Sequence, residues 1–123
     1  SRSDMSALAQ AKAANYCGQS IAIKRSGLGI NEFKHLFLSG GFANYINVDN
    51  AKKIGFLIDT PNANVLKIGN SALNGAIIYL VNVEERIKIE SIVKSIKHVE
   101  LETDENFFDH FVEGCQFKEL KVM

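Results

Sequence analysis

An apolar run, Leu36-Phe37-Leu38, meets Ser39-Gly40-Gly41 and opens at once into Phe42-Ala43-Asn44-Tyr45-Ile46-Asn47. A continuous apolar run followed by paired glycines predicts a buried parallel strand whose carboxyl end turns sharply beneath something that approaches the backbone. In open α/β sheets that edge is where ligands bind. A second junction of the same kind follows: Val65-Leu66-Lys67-Ile68 reads as a strand, Gly69-Asn70 punctuates it, and Ala72, Leu73, Ala76, Ile77, Leu80 and Val81 continue as a helix. Two strand-turn-helix units predict an α/β fold with a short, mostly parallel sheet covered by helices.

The remaining elements follow from periodicity and punctuation. Met5, Leu8, Ala9, Ala13, Tyr16, Cys17 and Ile21 repeat at the spacing of one buried helix face, with Ser3 as cap and Gly27 as stop. The dense alanines from Ala7 to Ala14 suit close packing on a sheet, and Lys24 and Arg25 suit the negative end of the helix dipole. A short helix from Val48 to Ile54 is capped by Asn47 and stopped by Gly55. Phe56 to Ile58 is extended or irregular, and Asp59-Thr60-Pro61 turns the chain. An amphipathic helix carries Ile89, Ile92, Val93 and Ile96 on one face, with Glu84, Glu85, Arg86, Lys88, Glu90 and Lys94 solvated. Val99 and Leu101 alternate with His98, Glu100 and Glu102 as in a half-exposed strand, and Thr103 caps a last helix bearing Phe107, Phe108, Phe111 and Val112 as core.

With 123 residues, 46% of them hydrophobic, the chain can bury one modest core, and nothing in it divides it, so a single domain is expected over 1–123. Lysine plus arginine and aspartate plus glutamate stand at 14 each, so no basic field recruits nucleic acid or an acidic membrane surface. No apolar run approaches the roughly 20 residues of a membrane span. Cys17 and Cys115 lie far apart in sequence, as expected of reduced thiols in a cytoplasmic protein.

The residues offer little self-contained chemistry. His35, His98 and His110 fall in separate elements, so no metal spacing is visible. Ser39 lacks the nucleophile-elbow pattern and Cys17 lies mid-helix, so no catalytic residue is assigned. Neither a P-loop nor a dinucleotide fingerprint is present. The Gly40-Gly41 turn has two readings: a tight turn, or a place where a flat ligand such as adenosine lies against a main chain without Cβ atoms. Gly69-Asn70 opens a helix whose amino-terminal N–H groups can face a polar ligand, so the two turns could form two walls of a cleft.

The blocks Ala11-Lys12-Ala13-Ala14, Leu38 to Tyr45, Ala51-Lys52-Lys53-Ile54-Gly55, Ile68 to Ala76, Val99-Glu100-Leu101 and Phe107 to Phe117, taken in order, resemble a known family. It is the carboxy-terminal part of the ATP-dependent reductive activators of corrinoid proteins, in the acetate and sugar kinase, heat-shock protein 70 and actin superfamily. The resemblance implies the last portion of the second lobe of an actin-like (ribonuclease H-like) ATPase. It implies a parent protein that uses ATP with magnesium, carries an iron-sulfur cluster in a part absent here, serves a corrinoid protein as partner, and returns cobalt from Co(II) to Co(I). By motif match Ser39, Gly40, Gly41, Phe42 and Asn44 would approach the nucleotide, and Gly69 and Asn70 would support the other side of its pocket. Magnesium ligands would lie in other sequence. A homodimer is expected, since apolar surface left by the missing lobe favours self-association.

Two positions depart from the family, which has glycine where Ala43 stands and proline near Ile58. Were position 43 to need a positive φ, alanine would cost about 1 kcal/mol and reshape the loop. Two alternatives stay open: an interaction and dimerisation module whose glycines only turn the chain, and another ATPase of the superfamily, such as a dehydratase activator or carbohydrate kinase. The Phe107 to Phe117 block argues against the latter.

Overall fold

A computed structural model describes residues 1–120. Its elements run α1 (Arg2–Ser26), β1 (His35–Ser39), α2 (Gly41–Tyr45), α3 (Val48–Lys53), β2 (Asn64–Gly69), α4 (Ser71–Val81), α5 (Val83–Ser95) and α6 (Phe107–Gly114), with 3-10 turns at Ile30–Glu32 and Leu101–Thr103. The strands pair in parallel: Asn64 N–H donates to Lys34 O at one end, and Gly40 N–H donates to Gly69 O at the other. The α/β class with a short parallel sheet is borne out. The chain divides into two compact units, one of Ser1–Leu36, Ile46–Asn64 and Glu100 onward, the other of Phe37–Tyr45 and Val65–Val99.

The first unit is organised by α1. Ser1, not Ser3, caps it: the Ser1 hydroxyl accepts from Asp4 N–H while the Asp4 carboxylate accepts from the Ser1 backbone nitrogen, a reciprocal box that carries the helix two residues further back. Gly27 ends it at φ 72°, a left-handed cap. Ala13, Tyr16, Cys17 and Ile21 are buried as the periodicity predicts, but Met5 and Leu8 are exposed. The reason is length. At about 1.5 Å of rise per residue, the 8 residues of α6 cover only part of a 25-residue helix. Contacts run from Lys12, which donates to Gly114 O, to Arg25, whose guanidinium holds Asp104 at 2.7 Å. The alanine-rich stretch thus serves α6 rather than a sheet: a Cβ on Gly114 would stand 2.8 Å from Ala13 Cα.

Lys12 is fully buried, with its ammonium 5.5 Å from the Phe117 ring centre. Burial pushes its pKa down, opposed by the nearby Cys115 thiol. Tyr16, Ile58 and Leu120 form the core cluster, with Ile23 and Ile30 packed against it. Asn15 and Gln19 both donate to Phe56 O, and Gln19 Oε1 accepts from Ile58 N–H, so side chains of α1 satisfy the irregular segment after α3. A proline at position 58 could not make that last bond. Asn47 caps α3 through Asn50 N–H, as predicted.

Two expectations fail near the carboxyl end. Residues 99–101 form no strand, because alternation alone supplies no partner and the described sheet has two strands. Thr103 does not cap α6; its hydroxyl donates back to Glu100 O, and Asn106 stands at the cap position. Asp104 does the local work instead, accepting from Asn106 N–H at 3.0 Å.

In the second unit α4 packs on α5. Arg86 donates to Tyr79 O and Leu80 O at the end of α4, and the Tyr79 hydroxyl donates to Glu90 at 2.9 Å. β1 alternates between exposed and half-buried instead of being buried throughout, since a sheet of two described strands leaves much of its surface uncovered. No helix among the described residues is long and apolar enough to cross a membrane.

Candidate functional site

The two strand ends of the second unit meet in one corner. Gly40 has φ 95° and Gly69 φ 63°, so both turns use backbone that disfavours a side chain. Gly69 O accepts twice, from Gly40 N–H at 2.8 Å and from the Ser39 hydroxyl at 3.1 Å. The Ser39 hydroxyl also lies 2.5 Å from that of Ser71, the first residue of α4. Parallel pairing thus brings residues thirty positions apart into one stitched corner.

Gly41 opens α2, a five-residue helix the glycine motif did not reveal. Ala43 lies inside it, buried, and among the described residues only glycines have a positive φ, so alanine stands here without backbone strain. The loop geometry therefore does not require the glycine usual in the family. Phe42 and Tyr45 are 71% and 90% exposed. The Asn44 carbonyl accepts from Lys67 Nζ at 3.2 Å, tying the end of α2 to β2. Asn70 caps α4 by accepting from Leu73 N–H at 3.0 Å.

A Cβ built on Gly40, Gly41 or Gly69 meets no atom within 4 Å. Bare main chain therefore faces open space at all three positions. Gly40 N–H and Leu73 N–H both have acceptors within the chain. Of the expected site residues, Ser39, Gly40, Gly69 and Asn70 gather at the corner, Gly41 and Phe42 lead away from it, and Asn44 lies at the end of α2. Ser71 and Lys67 were missed, because their partners follow from strand register.

Other chemistry is sparse among the described residues. No group of three or more His, Cys, Asp or Glu side chains is placed to hold a metal. Cys17 is buried, its thiol donating to Phe107 O and pushed up in pKa chiefly by burial. In the first unit an open cleft of about 320 Å³ is lined by Asp49, Lys52, Lys53, Asp59 and Glu119, with Lys52 and Asp59 paired at 2.8 Å. Its charges are of both signs and select no ligand class.

A family model described as the C-terminal domain of RACo, the ASKHA domain, matches residues 1–123. The corrinoid activation enzyme RamQ of Eubacterium limosum is 34% identical over 114 residues, which are 93% of this chain and 19% of RamQ. The chain thus spans about a fifth of the length of that relative. Matched by that model along its whole length, this chain belongs to the family of RACo C-terminal ASKHA domains.

Proposed function

We propose that the chain is the nucleotide-binding carboxy-terminal part of an ATP-dependent reductive activator that returns the corrinoid cofactor of a methyltransferase system from Co(II) to Co(I). The observation that carries the reading is the bare main chain at Gly40, at Gly41 beside it and at Gly69, within a chain of this family. The name of RamQ, a corrinoid activation enzyme, supports the wider process. Both units belong, in this proposal, to the second lobe of the ATPase.

Gly40 and Gly41 let the nucleoside lie on the main chain, and Phe42 offers an exposed ring beside it. Gly69 and Asn70 hold the opposing turn. ATP supplies binding and hydrolysis energy, and closure of two lobes around it couples nucleotide state to docking of the corrinoid protein. Magnesium ligands are assigned to other sequence, as the family resemblance implies. An iron-sulfur cluster held by four thiolates does not fit two cysteines of which one is buried.

A second reading, an interaction and dimerisation module, is favoured by α4. Leu73, Ile77, Leu80 and Val81 are all exposed on it, whereas helices this apolar are ordinarily covered.

The test is calorimetric titration of the chain and of Gly41→Val with ATP and magnesium. A Cβ at position 41 meets nothing within 4 Å, so thermal stability should stay within a few degrees. Binding by the parent chain with at least a tenfold loss in the variant supports the reading. Equal affinities, or no binding by the parent chain, would overturn it.

A further inference from the structure

We draw no further inference here: the strongest candidate, the exposed apolar face of α4 formed by Leu73, Ile77, Leu80 and Val81, has nothing in the structure to show what covers it.

Discussion

Gly55 and Gly27 have nearly the same backbone, φ 74° and 72°, but different surroundings, and alanine at each separates two costs of a side chain. At Gly27 a Cβ meets nothing within 4 Å. Gly27→Ala should therefore cost only the left-handed conformation, about 1 kcal/mol. At Gly55 the Cβ would stand 2.5 Å from Lys118 O and 2.8 Å from Leu120 Cδ1. Both distances lie well inside ordinary contact, and overpacking adds about 1–3 kcal/mol. Gly55→Ala should thus cost about 2–4 kcal/mol in all. At about 2.1 cal/mol/K of unfolding entropy per residue, 1 kcal/mol in a chain of this size moves Tm by about 4 °C. The expected shifts are about 4 °C at Gly27 and about 8–16 °C at Gly55, read by thermal circular dichroism. Equal shifts would refute the reasoning, because they would mean that Lys118 and Leu120 do not press on Gly55 and that Leu120 does not close the core with Tyr16 and Ile58.

Two further outcomes follow from the same structure. Asp104 is held down to about 2, from an ordinary 3.8, first by Asn106 N–H and then by Arg25. A depressed carboxyl stabilises the fold above its unfolded pKa and withdraws that support as pH falls through the folded one. The urea midpoint should therefore drop between pH 3.8 and about 2, and Asp104→Asn should start lower at neutral pH and fall less across that window. Leu80 is 75% exposed, so Leu80→Ser should leave the melting temperature within a few degrees and, if α4 is the dimerisation face of the second reading, shift the sedimentation of the chain toward monomer.

Part of the local chemistry of caps and turns was legible in the sequence, although the caps expected at Ser3 and Thr103 fall at Ser1 and Asn106. Gly27, Asn47 and Gly55 act where they were expected, because each depends on a few neighbouring residues. What depends on partners distant in the chain was not. Residues 99–101 alternate like a strand but have no ladder to join, and the apolar run of β1 gains no second covering face. The alanines of α1 suggest a sheet-covering helix, yet Ala13 is the one that admits Gly114 of α6, a fit that only the folded chain displays. At the candidate site the paired glycines were visible at once. Ser71 was not, since its tie to Ser39 exists only in the register that sets β1 beside β2.

The most direct test of the central claim is an intermolecular NMR experiment on the labelled chain with ATP and magnesium. Magnetisation transfer from adenine or ribose protons to the amides of Gly40 and Gly41, with shifts confined to residues 39–44 and 69–72, is the predicted result. Transfer to residues outside these segments, or none with a folded chain at saturating ATP, would contradict a nucleotide site at the glycine corner.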